Sequence, residues 1–271
     1  MKNIILTVFV LQTLSFFSCE KEVTLEIIDE LVVEALLHEG QPVDSVKFSK
    51  VISFEAETEP PKPNDLVPII KTDDGEEFTL NFTGEEGVYG NPDLIIKAGK
   101  SYTLEVEFNG KIVSAETFAP SPPTDLTISD SEVIMAKITS FQDLQNQTMP
   151  DPIEINWEAE EGAYYFVQVK NIEDEPEIVN DLFASSNFKR PDFLTEPSIN
   201  NFYTINTFRD ITHFGTYEVI IYRVNPEYVT LYEDNSSGSE GITEIRTNVQ
   251  NGFGIFTAVN SKKVVFEVKK L

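Results

Sequence analysis

Apolar and polar residues alternate along most of this chain, in short stretches separated by Gly, Asn, Asp and Pro. Residues 101–108 and 112–118 alternate on either side of Asn109 and Gly110. Alternation with a period of two predicts a half-buried strand, and an Asn-Gly pair between two strands predicts a tight hairpin. An Asp-Gly pair at residues 74–75 predicts a second hairpin for the same reason. The first half of the chain is therefore expected to be β-sheet.

The same alternation predicts strands along the rest of the chain, with little helical periodicity between them. The predicted strands cover residues 23–27, 31–37, 46–54, 67–71, 78–82, 126–128, 133–138, 153–157, 164–171, 216–224, 242–249, 252–259 and 264–268. One short helix is predicted to begin at Pro226, because Asn225 suits the cap position and proline suits the first helical position. Residues 176–185 are a further candidate for a short helix.

Strands at this spacing predict an all-β fold of two tandem β-sandwich domains. Prolines at positions 120, 122 and 123 interrupt the pairing pattern, so we place a stiff linker at residues 120–123. The first domain is then residues 23–119 and the second is residues 124–271. In the second domain, a strand that ends in Trp157, an acidic turn and an aromatic strand resemble the core of fibronectin type III and immunoglobulin-like domains. This resemblance implies a buried Trp157.

Residues 172–215 form an aromatic-rich stretch that is much longer than an ordinary connection between strands. We interpret it as an insertion in the second domain, which is either a flap over the sandwich or an exposed binding surface. Large exposed aromatic patches are rare on monomers, which favours the flap. Basic residues beside apolar rings are typical of a recognition loop, which favours the surface. The rings beside basic residues, and hence the candidates for partner contact, are Phe188, Phe193 and Phe208.

The first 18 residues have the pattern of a secretory signal peptide, with a basic start, an apolar run over residues 4–17 and a small residue at Ser18. The only cysteine of the chain, Cys19, follows directly. The segment resembles a bacterial lipobox, although Phe16 replaces the usual Leu. This resemblance implies lipidation of Cys19 and a tether at residues 19–22, whose acidic and basic residues also resemble a signal for surface display. An ordinary cleaved signal is the alternative.

The chain carries a net charge of −26, which opposes binding to nucleic acid and to anionic lipid headgroups. Its two histidines, His38 and His213, are far apart in sequence, and the motifs of hydrolase, phosphate and dinucleotide sites do not occur. The acidic residues 73–77 lack the ligand spacing of a calcium loop. We therefore expect no enzyme, no metal and no cofactor. A carboxylate pair of the glycosidase kind stays open, because carboxylates are abundant.

Residues 248–256, the helix start at 226–228 and the strand at 31–34 together resemble a family of Bacteroidota lipoproteins of uncharacterised-domain type. The most specific stretch is Asn-Gly-x-Gly-Ile-Phe at residues 251–256. Members are often encoded beside TonB-dependent outer-membrane receptors. The resemblance implies a lipid-anchored outer-membrane protein that assists such a receptor in nutrient uptake, and the signal in the tether implies display on the cell surface. A surface adhesin that binds glycan or protein is the alternative. No catalytic residue is implied, and the glycines are expected to form a turn or bulge.

Overall fold

The structure is a computed structural model that describes residues 29–52, 59–148, 150–183, 192–233 and 247–271. The strands up to the proline-rich linker are β1 (Leu31–His38), β2 (Pro42–Lys50), β3 (Ile69–Thr72), β4 (Glu77–Thr79), β5 (Asn81–Phe82), β6 (Val88–Ile95), β7 (Ser101–Phe108) and β8 (Lys111–Phe118). The strands after it are β9 (Thr124–Ile128), β10 (Glu132–Met135), β11 (Ile153–Glu158), β12 (Tyr164–Asn171), β13 (Phe193–Leu194), β14 (Phe202–Ile205), β15 (Gly215–Val224), β16 (Val249–Gln250) and β17 (Phe253–Lys270). The helices are α1 (Phe141–Asn146) and α2 (Pro226–Glu233), with one 3₁₀ turn at Asp181–Phe183. The all-β prediction is confirmed.

The first sandwich packs two sheets face to face. One contains β1, β2, β6 and β5 beside the first half of β17, and the other has the order β16-β8-β7-β3-β4. Alternate residues of each strand enter the core, as in β1, where Leu31, Val33 and Leu37 are buried. This alternation explains why the period-two pattern located the strand correctly.

The predicted hairpin of the first sandwich forms as expected. β7 and β8 pair in register across Asn109 and Gly110, whose φ angles are 51° and 73°. Positive φ at both turn residues matches the twist of a two-residue hairpin, which is why Asn-Gly suits this turn.

The predicted strand 78–82 is wrong as a single strand, because β4 pairs with β3 while β5 pairs with β6 in the opposite sheet. A short chain segment therefore crosses from one sheet to the other here.

The second sandwich has the strand order of immunoglobulin-like domains. Its larger sheet runs β13-β12-β15-β17, with β10 parallel to the end of β17, and it faces a sheet of order β14-β11-β9. Trp157 is buried, as predicted. The Tyr217 hydroxyl donates to the carbonyl oxygen of His213 at 2.9 Å, which is the tyrosine corner of this fold. In the first sandwich the Tyr102 hydroxyl accepts a hydrogen bond from the backbone N–H of Lys97 in a similar way.

The long strand β17 corrects the expected domain boundaries. Its first half pairs in parallel with β1 of the first sandwich, and its second half pairs antiparallel with β15 of the second. β16 also belongs to the first sandwich, because Val249 pairs with Ala115 and is buried in that core. Residues 252–259 and 264–268 were expected to be separate strands. They are one strand because residues 260–263 carry neither Gly nor Pro to interrupt it.

The stretch 172–215 is wrong as an insertion, because it supplies two strands of the second sandwich. β14 pairs with β11, and β13 pairs with β12. Both strands are short, so their alternation was too brief to stand out among the turn residues. The predicted helix at 176–185 reduces to the 3₁₀ turn within the described residues. The sequence reading also missed β6 and α1, and α1 begins with a capping box in which Ser140 and Asp143 exchange hydrogen bonds.

Polar side chains fix the two sandwiches against each other. The Asn225 amide nitrogen donates to the carbonyl oxygens of Phe118 at 2.7 Å and Ala258 at 3.1 Å. Asn225 precedes α2 as predicted, but its side-chain amide binds the first sandwich. The Asn260 amide donates to the carbonyl oxygen of Pro120, which holds the linker against β17. Pro120 and Pro123 are buried, so the predicted linker is packed against the protein and does not act as a free spacer.

Candidate functional site

A cavity of about 430 Å³ opens at one end of the second sandwich. It is bounded by the end of β10, by the segment before the 3₁₀ turn, and by the connection from β14 to β15. Its lining is mostly apolar with a few polar groups, and consists of Met135, Ile138, Ile178, Val179, Asn180, Asn206, Phe208, Arg209, Ile211 and Thr212. A well-formed apolar pocket with convergent polar groups is the default binding site of an uncharacterised protein.

The floor of the cavity is part of the hydrophobic core. Met135, Ile138, Val179 and Ile211 are each buried, and Met135, Val179 and Ile211 pack in the core of the second sandwich. Backbone hydrogen bonds hold this floor in place. The N–H of Ile138 donates to the carbonyl oxygen of Val179, and the N–H of Val179 donates to the carbonyl oxygen of Thr212, both at 2.9 Å. These hydrogen bonds join the segments of the floor as in a β-sheet, so the floor is rigid.

The rim of the cavity is a tight loop, residues 206–210, which we call the rim loop. The side-chain oxygen of Asn206, Oδ1, accepts hydrogen bonds from the backbone N–H groups of Phe208 and Arg209, at 3.1 and 3.0 Å. The Asp210 carboxylate accepts from the backbone N–H of Asn206 at 2.8 Å. Thr207 is buried and donates to the carbonyl oxygen of Pro150. The loop is thus closed by its own side chains and anchored to the domain.

The rim loop presents an aromatic ring and a cation to solvent. Phe208 is 56% exposed, and the Arg209 side chain is 73% exposed. The Arg209 Nε donates to Asp210 at 2.7 Å, and this hydrogen bond raises the pKa of Arg209. Among the ten residues of the lining, Arg209 is the only charged one. The mouth of the cavity therefore carries a guanidinium whose charge is balanced in part by the paired Asp210, in a chain of net charge −26.

Ion pairs brace the wall beside the cavity. The Glu177 carboxylate accepts from Lys137 and Lys270, both at 2.8 Å. These two hydrogen bonds lower the pKa of Glu177 from 4.5 to about 2. Lys270 is at the end of β17 and Glu177 precedes the wall residue Ile178, so the pairs connect the last strand to the cavity wall.

A second, more polar groove of about 610 Å³ lies beside α2 on the outer face of the first sandwich. Tyr228 of α2 borders it, together with His38, Gln41, Asp44 and Lys47. Burial lowers the pKa of His38, because desolvation disfavours the imidazolium. Within the described ranges, no three His, Cys, Asp or Glu side chains come together in a way that could hold a metal ion.

The chain matches a protein-family model over residues 20–264, and the model is described as a domain of unknown function, DUF4249. The match covers most of the chain. The chain belongs to the DUF4249 family. The expected membership of an uncharacterised-domain family is confirmed at this level. The matched range includes both sandwiches, the cavity and the groove.

Two solved structures of fibronectin type III domains are similar to this DUF4249 chain in fold. The two-domain fibronectin type III segment of chicken tenascin is 9% identical, with a TM-score of 0.25, and the match covers 88% of this chain and 98% of that chain. The FN1–FN3 domains of chicken CNTN1 are 10% identical, with a TM-score of 0.26, and the match covers 74% of this chain and 60% of that chain. None of the curated proteins matches the chain. In the described part of the chain, both helices are too short to cross a membrane.

The structure separates the three rings that the sequence singled out. Phe208 lies at the mouth of the cavity and is exposed. Phe193 is half-buried in β13, packs against the core of the second sandwich, and lies with its ring centroid 6.1 Å from that of Tyr203. Phe188 lies outside the described residues, as does Cys19. The stretch 172–215 therefore contains both core residues and an exposed rim, so neither the flap nor the surface alone describes it.

The sequence reading missed the other residues of the cavity. Asn206 and Asp210, four residues apart, are the residue types that bind their own backbone in tight turns. That signal was available, and it marks the rim loop. The floor residues gave no separate signal, because a buried apolar residue that lines a cavity has the same sequence pattern as one in a closed core.

Proposed function

We propose that this protein is a non-enzymatic lipoprotein of the cell envelope, anchored in the outer membrane through a lipid on Cys19. We propose further that it is an accessory or binding component of a TonB-dependent nutrient uptake system. The pattern of residues 1–19 supports the anchor. The family match from residue 20 onward agrees with a mature chain that begins at Cys19. The resemblance to Bacteroidota lipoproteins supports the receptor as partner.

The observation that carries the binding role is the cavity with its pre-organised rim loop. An apolar floor and donor groups at the rim suit recognition of another molecule. The rim loop is held by its own hydrogen bonds before any partner arrives, so little conformational entropy is lost on contact. Aromatic rings and Arg are the residue types that dominate binding hot spots, and Phe208 and Arg209 are adjacent here.

The charge of the chain adds a property that can be measured. A net charge of −26 favours a partner with a basic docking surface. Attraction between exposed charges mainly raises the association rate, and it weakens as salt shortens the Debye length from about 10 Å at 0.1 M to about 3 Å at 1 M. Capture of the receptor should therefore weaken with salt.

The test combines membrane fractionation with capture of the partner. Cys19→Ala should move the protein from the membrane fraction to the soluble fraction, and an unchanged distribution would contradict the lipid anchor. From native membranes, wild type should co-purify with a TonB-dependent receptor. Phe208→Ala should reduce that capture while the melting temperature stays the same. The matched control is Phe202→Ala, since Phe202 is equally exposed, at 55%, but does not line the cavity. Equal capture by both variants would exclude the rim loop as the contact.

A second candidate function is a surface adhesin that binds glycan, and the groove beside α2 favours it. The groove offers the Tyr228 ring together with amide, carboxylate and imidazole side chains, which are the groups that bind sugar hydroxyls. Purified protein would be screened against a glycan panel, with Gln41→Ala as the groove variant. Binding that Gln41→Ala weakens and Phe208→Ala leaves intact would favour the adhesin over the receptor accessory.

A further inference from the structure

The cavity is too large to be a packing fault. Protein cores have few voids larger than one water molecule, whose share of liquid volume is about 30 Å³. The cavity has about 430 Å³ and opens to solvent at the rim loop. This volume falls within the range of roughly 300–1,000 Å³ that small-molecule sites occupy. A small ligand therefore fits the site by size.

The floor defines the body of the ligand. Met135, Ile138, Val179 and Ile211 present only methyl, methylene and thioether groups. A sugar or a nucleotide would lose hydrogen bonds to water on entering such a floor without gaining others. Binding of an aliphatic or aromatic body becomes more favourable in proportion to the apolar area that the body buries.

The rim defines the head of the ligand, because the polar side-chain atoms of Asn180, Asn206 and Arg209 that are left over there are donors. The side-chain oxygen of Asn206 already accepts from two backbone N–H groups, and that of Asn180 accepts from Leu182. Among the described residues nothing accepts a hydrogen bond from their amide nitrogens, which remain as donors. Arg209 uses Nε and Nη2 on Asp210, and its Nη1 has no partner in the described part of the chain.

The last polar group of the lining does not change this balance. The Thr212 hydroxyl is engaged with His213 Nδ1 at 2.8 Å. No carboxylate is among the ten lining residues, although the chain has 46 Asp and Glu. A carboxylate is an acceptor only, and it complements a rim of donors. An ammonium group is a donor only, and it would meet donors.

We propose that the cavity binds a small monocarboxylate with an apolar body, the body on the core floor and the carboxylate at Arg209 and the two rim amides. This inference rests on the proposed binding role of the protein but requires neither the lipid anchor nor the receptor. It gives the site a ligand class that its geometry selects.

The test uses three probes with the same tail, namely octanoate, 1-octanol and octylammonium. The full chain carrying Cys19→Ala is purified without detergent, because a detergent tail would compete for the cavity. Binding is measured by calorimetry and by the rise in melting temperature that a ligand of the folded state produces. Octanoate should bind at least about tenfold more tightly than octylammonium, since hydrogen bonds to a charged partner carry that much discrimination. Equal affinities, or no binding of octanoate, would overturn the proposal.

Two variants locate the binding. Arg209→Gln, at an exposed position, should bring octanoate down to the affinity of octanol and leave octanol unchanged. Ile178→Trp should fill the cavity and weaken both octanoate and octanol, whereas Ile134→Trp should change neither, because Ile134 is 53% exposed and outside the lining. Octanoate binding that survives both Arg209→Gln and Ile178→Trp would place it elsewhere and reject the site. These results do not depend on membrane fractionation or receptor capture, so the failure of either proposal can be recognised separately.

Discussion

The two sandwiches share a plan and differ at one end. Each has antiparallel strands and a buried tyrosine whose hydroxyl binds the backbone just before its strand, Tyr102 in the first and Tyr217 in the second. In the first sandwich, the Tyr89 hydroxyl binds Pro63 and Leu66 and holds the loop 63–66 against the core. In the second, a cavity opens at one end under the rim loop.

This difference shows how one fold serves as both support and site. Connections between strands are where binding groups are placed, while the sheets hold them rigidly. In the first sandwich the loop 63–66 is held against the core by the Tyr89 hydroxyl. The second uses the long stretch 172–215 partly for strands and partly for the walls of an open cavity.

The largest expected effect comes from separating the sandwiches. Expression of residues 124–271 alone removes β1 from the first half of β17 and exposes Phe256 and Ala258, which are buried in the first core. The second domain that the sequence predicts, residues 124–271, would fold alone if it were independent of the first. The structure predicts instead that it aggregates or lacks a cooperative melting transition, as measured by circular dichroism and light scattering. The control is the full chain carrying Cys19→Ala. A monomeric fragment that melts cooperatively near the temperature of the control would contradict the shared strand.

Gly254→Ala should have the next largest effect. Gly254 has a φ of +99°, and a Cβ atom there would lie 2.0 Å from the carbonyl oxygen of Val33 in the paired strand β1. Because backbone on both sides is fixed by pairing, we expect a loss of about 3 kcal/mol or more in unfolding free energy. The measurement is urea denaturation.

The second sandwich offers a matched glycine. Gly215 also has positive φ, +111°, but the Cβ atom would meet the flexible side chain of Glu173. Gly215→Ala should cost less, about 1–2 kcal/mol, since the exposed Glu173 side chain can move away, with loss of its hydrogen bond from Thr216, and the rest of the cost is backbone strain. Equal costs at the two positions would show that crowding by β1 is not the cause at Gly254.

The fold could be predicted from sequence where one signal decided one element. The period of two located β1, β7 and β8, and the Asn-Gly pair located their hairpin, because both signals are local. The prolines at 120–123 predicted only part of the domain boundary. Prolines mark where the chain leaves a sheet, but pairing between residues as distant as Ala35 and Phe256 leaves no local mark.

The site was less predictable, for a physical reason. Phe208 was chosen because a basic residue follows it, and the structure places it at the cavity. Phe193 was chosen by the same rule and packs against the core. A ring beside a cation has the same sequence pattern in both places, because exposure depends on which way a strand faces and on what packs above it. Cavities arise from distant segments and have no sequence period.

Truncation of one valine in each core should distinguish the closed end from the open one. Val46 is fully buried in the first core, and Val179 lines the cavity. Val46→Ala should cost about 2 kcal/mol, because it creates a new void among packed neighbours. Val179→Ala should cost about 1 kcal/mol, because one side of the residue already lacks packing partners. Both are measured by urea denaturation, and an equal or larger cost at Val179 would mean that the cavity is closed in solution.

The smallest expected effect concerns the contacts that hold the loops at each end and the pH dependence of their contribution to stability. Glu177 braces the cavity wall through Lys137 and Lys270, and its folded-state pKa of about 2 lies below its ordinary 4.5. The folded state therefore favours the ionised carboxylate, so the contribution is complete above pH 4.5 and disappears as pH falls towards 2. Because the Glu177 side chain is 45% exposed, solvent screens the pairs, and we expect Glu177→Gln to lower the melting temperature by only about 1–2 °C at pH 7. That difference should shrink steadily between pH 5 and pH 2.

The first sandwich supplies the contrast to Glu177, because its end is fastened by a group that does not titrate in acid. Burial raises the pKa of Tyr89, so its hydroxyl stays protonated and keeps its bonds to Pro63 and Leu66 throughout this range. Tyr89→Phe should therefore lower the melting temperature by the same amount at pH 7 and at pH 3. A constant difference for Glu177→Gln, or a pH-dependent one for Tyr89→Phe, would show that the two ends are not held by the different kinds of contact described here. If both variants behave as expected, acid loosens the open end while the closed end keeps its fastening, and ligand binding at the cavity should weaken before the protein unfolds.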